Sequence, residues 1–275
     1  SIMEKASCQG ERKIMLIALD IGNHHVTIGG FDGDDIRFVA SIATDRKQTG
    51  EEYACTLQNV LALYHAEDLP ITGASICSVV PGMAYTLSRA LGFLTDGPIL
   101  VVGTSGVKTG LNLKISEPRT LGTDRVAAAV HAGHTYPMPC VIVDLGTATT
   151  CTALDRQGAL VGSAIAPGVQ LFLTALNEHT AQLPTVGLYE VPAHVLGRTT
   201  AEALQIGAVH GTAAMIEGLI ARYAEALGSQ PTVVLTGGMA ETVQPHLRMS
   251  TVHAPTLALF GLADIWRRNH GREAK

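Results

Sequence analysis

One short pattern occurs twice in this chain, and a chain that repeats it a domain-length apart has few folds open to it. Residues 141–150, VIVDLGTATT, run an apolar, β-branched stretch into an acidic residue, a glycine and a cluster of small hydroxylated residues. That is the pattern of a buried strand delivering Asp144 to a tight turn. Residues 14–23, IMLIALDIGN, have the same layout, with Asp20 and Gly22 in the places of Asp144 and Gly146. Glycine lets backbone N–H groups approach an anion, Thr147, Thr149 and Thr150 add hydroxyl donors, and an aspartate at a strand end can hold a cation or its water shell. Either copy alone reads more simply as an ordinary β-turn. Together, at 144 − 20 = 124 positions apart, they predict an internal duplication whose two turns bracket one nucleotide.

The segments around the two turns agree. After the first turn, residues 26–31 and 36–43 read as strands joined by hairpin chemistry at Asp32, Gly33, Asp34 and Asp35. Residues 50–64 place Tyr53, Leu57, Val60, Leu61 and Tyr64 at helical spacing, and 72–80, 84–94 and 99–102 read as strand, helix and strand. The second half repeats the plan: strands 141–147, 150–154 and 160–165, helices 168–182 and 200–227, strand 232–236 and a last helix 255–268. An Ala-rich helix over 121–134 joins the halves. The expected architecture is α/β with mixed sheets, divided into a tail at 1–13, a first domain at 14–138 and a second at 139–275.

Composition narrows the functional classes. A length of 275 residues, 47% of them hydrophobic and 16% charged, suffices for two cores. The net charge of −5 and scattered Lys and Arg leave no electrostatic footprint for a nucleic-acid backbone, and one Trp leaves few stacking platforms. No apolar run reads as long enough to span a bilayer, so neither a membrane helix nor a signal peptide is expected, and the protein is expected in the cytoplasm. Cys8, Cys55, Cys77, Cys140 and Cys151 are dispersed and mostly set in apolar segments, which predicts reduced core thiols instead of disulfides or zinc ligands.

Several side chains have both a structural and a chemical reading. Asp124, at a helix start, is a natural cap; it is also placed to act as a general base for a substrate hydroxyl, with Arg125 as a fork for a substrate carboxylate. Thr199 and Glu202 form the pattern of a capping box, and Thr200 directs its hydroxyl to the helix mouth. Gly207, Gly211 and Gly218 predict close packing of their helix. Thr236, Gly237 and Gly238 form a further backbone-accessible turn suited to an adenosine, or a plain left-handed turn. His24 and His25 can touch phosphate but are poorly arranged for joint metal binding. His131 and His134 share a helix face without an evident carboxylate partner and read as surface histidines.

The motifs DIGN (20–23), SVVP (78–81), LGTDR (121–125), DLGTATT (144–150), IAPG (165–168), LP (183–184), GRTT (197–200) and TGG (236–238) resemble, in order and spacing, those of the type III pantothenate kinases, within the acetate/sugar kinase, Hsp70 and actin superfamily. The resemblance spans roughly residues 14–265. It implies two ribonuclease-H-like domains, a duplicated actin-like fold, with ATP in the cleft between them, in a homodimer. It also implies phosphorylation of the primary hydroxyl of pantothenate, the first step towards coenzyme A, with Mg²⁺ and a monovalent cation, potassium or ammonium. Carried over by motif, Asp124 resembles the catalytic base, and Gly122, Thr123, Asp124 and Arg125 the pantothenate-binding segment. Thr200 resembles a substrate contact. Asp20, Ile21, Gly22 and Asn23 resemble the first phosphate loop, with Asp20 also near the metal. Asp144 resembles the monovalent-cation ligand, Thr147 an ATP contact, and Gly237 and Gly238 the nucleotide turn. Three positions depart from the pattern: His24 follows DIGN where the family has Thr or Ser, Ile115 stands where it has a tyrosine against pantothenate, and Thr152 stands where it has Asp. A kinase for another small hydroxyl compound and a catalytically inactive ligand-binding or regulatory homologue are the alternatives.

Overall fold

In the computed structural model, which describes residues 14–271, each half of the chain opens with a three-strand meander. The first half runs β1 (Met15–Ile21), β2 (His25–Asp32), β3 (Asp35–Ala43), α1 (Gly50–Leu63), β4 (Ile71–Ser78), α2 (Met83–Gly92), β5 (Ile99–Val101) and α3 (Thr123–Thr135). The second runs β6 (Cys140–Leu145), β7 (Ala148–Leu154), β8 (Leu160–Pro167), α4 (Val169–His179), α5 (Thr200–Leu227), β9 (Thr232–Thr236), α6 (Ala240–Val243), β10 (Val252–His253) and α7 (Leu257–His270). The strand orders are β3-β2-β1-β4-β5 and β10-β9-β6-β7-β8, one topology built twice. In both sheets the first strand pairs antiparallel with the second and parallel with the fourth. This is the duplicated ribonuclease-H-like arrangement expected. β10, counterpart of β5, is two residues long and too short for periodicity to reveal.

Local chemistry explains the elements that carry the first sheet. The Thr49 hydroxyl accepts from Glu52 N while the Glu52 carboxylate accepts from Thr49 N at 2.7 Å, a reciprocal cap that starts α1. The buried stripe of α1 is Tyr53, Leu57, Val60 and Leu61, one face at helical spacing. Gly33, at φ 61°, closes the hairpin between β2 and β3.

Three apolar layers result. α1 and α2 cover the outer face of the first sheet, and α4 and α5 that of the second. The middle layer is shared: Ala18 and Cys77 from the first sheet and Ile142 and Val234 from the second pack with Ala127, Ala128, Leu262 and Ala263 of α3 and α7. α7 follows the second sheet in sequence but packs on α3 and on β1 and β4, so the last helix crosses back over the first sheet. Where α3 and α7 cross, Gly261 lies so close to the Ala127 backbone that a Cβ there would collide with the Ala127 carbonyl.

Several expectations are corrected. α4 ends at His179, not at 182, because Thr180 turns extended. The Thr199 hydroxyl accepts from Glu202 N, but the Glu202 carboxylate accepts from Arg198 N instead of Thr199 N, so only half of the box forms. A Cβ added at Gly211 would meet nothing within 4 Å, and one at Gly218 only the flexible Arg222; at Gly207 it would lie 3.9 Å from Phe172, an ordinary contact. α5 is long and apolar enough to cross a bilayer by length and composition, yet Leu204, Ala208, Val209, Ala213, Ile216 and Ile220 bury one of its faces in the core of the second half. Cys77, Cys140 and Cys151 are buried thiols, whereas Cys55 is exposed. Residues 1–13, and Cys8 with them, lie outside the described residues.

Candidate active site

The two aspartate turns occupy equivalent places in the two sheets. Asp20, near the end of β1, pairs in register with Cys77 of β4, and Asp144, near the end of β6, pairs with Thr236 of β9. Strand pairing presents the ends of the central strands, with their following turns, at one edge of each sheet, where ligands of open α/β sheets bind. The turns face each other: His24 Nδ1, after the first glycine turn, lies 3.0 Å from Thr147 Oγ1 of the second.

α3 brings the third carboxylate. Its first turn is fixed to the first sheet by Thr123, whose Oγ1 accepts from Ser78 N and donates to Ser78 O, both at 3.0 Å. Gly122 lies against the Asp124 carboxylate closely enough that a Cβ would strike Oδ1. Asp124 makes no cap: its Oδ1 is buried and has no hydrogen-bond partner. A buried acceptor without a partner costs free energy, which a partner supplied by a ligand would recover. The next residue, Arg125, reaches the second half, donating from Nη1 to Ser163 Oγ of β8 at 2.9 Å.

The electrostatics show a site short of positive charge. Burial raises Asp20 to about 6; Asp124 pushes the same way, against the Cys77 thiol, which donates to Asp20 Oδ1 at 3.2 Å. Burial raises Asp144 to about 7, reinforced by Asp124 and Asp20 and opposed by Arg125. Each raised carboxylate binds its proton more tightly folded than unfolded, so between about pH 4 and 7 the native state holds more protons and stability falls as pH rises. The ligand-free protein is therefore expected to melt higher at pH 5 than at pH 8, by roughly 5 °C. Asp144→Asn should flatten that dependence in a calorimetric pH series; an unchanged slope would refute the assignment.

The same observation tests the fit to a cation. Buried carboxylates that raise one another are suited to a divalent ion, which favours their ionised forms. Among the described residues no three His, Cys, Asp or Glu side chains form a cage for one.

The remaining predicted residues divide. Gly237, at φ 88°, lies against Asp144 and the Leu145 backbone, with no room for a Cβ, so the turn after β9 belongs to this cluster. Ile21 is buried, and Gly22 N donates to His25 O at 2.9 Å to close the first turn. Asn23, Thr147 and Gly238 are exposed at the turns. Thr200 is exposed at the start of α5, with no contact tying it to the carboxylates. Ile115 packs partly buried against the shared core, and Thr152 is buried in β7. His131 departs from its surface reading: its Nδ1 lies 2.7 Å from Asp264 Oδ2 of α7, and the same carboxylate also accepts from Arg267. Cys77 and Ser163 were not singled out by sequence, because only strand register and the seating of α3 bring them to Asp20 and Arg125.

With the geometry in place, comparison with known proteins adds the following. The family profile of type III pantothenate kinases matches residues 16–222. A type III pantothenate kinase from Brevibacillus brevis is 37% identical over 255 residues, covering 93% of this chain and 99% of that one. Among solved structures, a conserved Campylobacter jejuni protein assigned to a Baf family of transcriptional activators has a TM-score of 0.60 at 16% identity, covering 92% of this chain and 98% of that one. The activator of the 2-hydroxyisocaproyl-CoA dehydratase from Clostridium difficile, with bound ADPNP, has a TM-score of 0.53 at 13% identity, covering 95% and 98%. At such identities the two structures establish the fold alone.

Proposed function

The chain belongs to the type III pantothenate kinase family, and on that premise we propose that it transfers the terminal phosphoryl group of ATP to the primary hydroxyl of pantothenate, the first step towards coenzyme A. The observation that carries this reading is the unpartnered, buried Oδ1 of Asp124, in a cleft with two equivalent turns whose side chains meet at 3.0 Å. Phosphoryl transfer asks a protein for alignment and charge neutralisation more than for covalent help. The triphosphate lies against the turns at 20–23 and 144–147, with the adenosine towards Gly237 and Gly238. Asp124 accepts the proton of the acceptor hydroxyl. Gly122, Thr123 and Arg125 line the acceptor side, where the guanidinium, held by Ser163, receives the carboxylate of pantothenate; the assignment of Thr200 to that side rests on the family resemblance alone. Asp20 and Asp144 are the residues that would hold Mg²⁺ and a monovalent cation, potassium or ammonium. Bound there, the ions offset the negative charge of the phosphates and of these carboxylates.

A cytoplasmic homodimer fits this reading. Its support is the burial of the free thiols Cys77, Cys140 and Cys151 and the exposure of Ile165 and Leu171 beside the edge strand β8. Light scattering should return twice the chain mass of 28.8 kDa; a monomer refutes the dimer.

A second reading rests on Ile115, which offers an apolar side chain and no hydrogen-bonding group. By the family resemblance this is the position of a tyrosine against pantothenate, and its replacement favours an acceptor other than pantothenate, still a small hydroxy acid. A coupled ADP-release assay with pantothenate and a panel of small hydroxy acids, with and without potassium or ammonium, separates the two. Turnover on pantothenate supports the first reading and turnover on another acid alone the second. Absence of turnover with any acceptor refutes both.

A further inference from the structure

One of the side chains that span the two halves is an imidazole. His24 and Thr147 are 123 positions apart, on equivalent turns, and their side chains meet at 3.0 Å. Neither turn is loose. Thr44 N donates to His24 O at 2.9 Å, Thr44 Oγ1 donates to Gly22 O at 2.7 Å, and Gly22 N donates to His25 O at 2.9 Å. Across the cleft, Gly168 N donates to Thr147 O at 3.1 Å, and Gly168 packs on the carbonyls of Gly146 and Thr147 where no Cβ would fit. The turns are held separately, so the bond between His24 and Thr147 is not what keeps either in shape.

Its chemistry points elsewhere. Both side chains are exposed, and a hydrogen bond between exposed groups adds little to stability because water competes for both. A hydroxyl can donate to Nδ1, which leaves the proton on Nε2 and makes Nε2 a donor. Among the described residues Nε2 of His24 has no protein partner. The cleft holds the carboxylates of Asp20, Asp124 and Asp144, with Arg125 opposing the charge at Asp144. An entering triphosphate adds anionic oxygens that need N–H or O–H donors.

Resting on the nucleotide-cleft reading above, we propose that His24 is a phosphate-binding residue of this chain: Thr147 donates to Nδ1, and Nε2–H donates to a non-bridging oxygen of the nucleotide's β- or γ-phosphate. One ring thereby joins both turns to the triphosphate, and Thr147 acts as its positioning residue. The acceptor side, built by the first turn of α3, is outside this contact.

The test is steady-state kinetics on His24→Ala, His24→Gln, His24→Asn and Thr147→Val, with calorimetric titration by a non-hydrolysable ATP analogue. A glutamine amide reaches about as far as Nε2, whereas an asparagine amide reaches only as far as Nδ1. His24→Ala is expected to raise the KM for ATP and the Kd of the analogue about 10- to 100-fold, with the KM for the acceptor within about twofold. His24→Gln should keep more nucleotide affinity than His24→Asn, and Thr147→Val should cost little once His24 is alanine. An unchanged or tighter Kd in His24→Ala overturns the proposal, the tighter value marking His24 as a latch that nucleotide must break. An equal rise in both KM values overturns it as well. If the unmodified protein turns over no acceptor, the functional assignment fails, but the Kd series still decides the role of His24.

Discussion

Asp124→Asn is expected to lower kcat by about 10³-fold while leaving the fold and nucleotide affinity intact. The substitution keeps the shape of the side chain and removes only its capacity to take a proton, and a positioned general base contributes about 10²–10⁴. The middle of that range fits here because Oδ1 is buried without a partner, so no ordered protein donor competes with the acceptor hydroxyl. The amide places either a carbonyl or an NH₂ there, neither of which ionises the alcohol. Asp124 also raises Asp20 and Asp144, so its neutralisation should lower both and favour cation binding. Stopped-flow ADP release gives the rate, and calorimetric titration with the ATP analogue gives the affinity. A variant retaining more than about a tenth of the original kcat would remove Asp124 as the base.

Gly261→Ala is expected to be the most damaging single-methyl change in the molecule. The added carbon would meet the Ala127 carbonyl at the crossing of α3 and α7, and backbone, unlike a side-chain tip, cannot rotate away. Overpacking of this kind costs about 1–3 kcal/mol, and a chain of this size should lose roughly 3–10 °C in Tm. The damage should extend to catalysis. Ala127 lies three residues, just under one helical turn, beyond Asp124 on α3, so forcing the helices apart tilts the base in its cleft, and a misplacement of about 1 Å can cost 10²-fold. Gly211→Ala is the contrast. Nothing lies within 4 Å of that position on the exposed side of α5, so the same methyl should raise stability by up to about 1 kcal/mol through helix propensity alone. Differential scanning calorimetry on both variants reads the opposite signs directly. Equal shifts in the same direction would mean that the α3–α7 crossing is not as tight as described.

The two glycines show where sequence reading stops. A helical glycine reads alike whether it faces solvent or another backbone; Gly207, Gly211 and Gly218 stood out by their spacing, while Gly261, the one at a backbone crossing, did not. His131 is similar: its carboxylate partner, Asp264, is 133 positions away on α7, beyond any local pattern. The half-formed box at Thr199 illustrates the reverse, a correct motif whose glutamate finds a neighbouring amide instead. By contrast, β1 and β6 and their turns were legible because a buried strand ending in Asp-x-Gly is written in consecutive residues.

Consecutive residues were enough to define the duplication, the alternation of strand and helix, the carboxylates at the strand ends and the family, since each depends on short-range periodicity or an unbroken motif. Tertiary structure alone decided that the last helix returns to the first sheet, that Cys77 donates to Asp20 and Ser163 accepts from Arg125, and that one histidine reaches across to Thr147. Those facts depend on register and on helix crossing, which bring together residues separated by tens to more than a hundred positions. Hydrophobic burial, which drives that assembly, is non-directional, so the chain specifies which faces are covered long before it specifies which polar atoms end up touching.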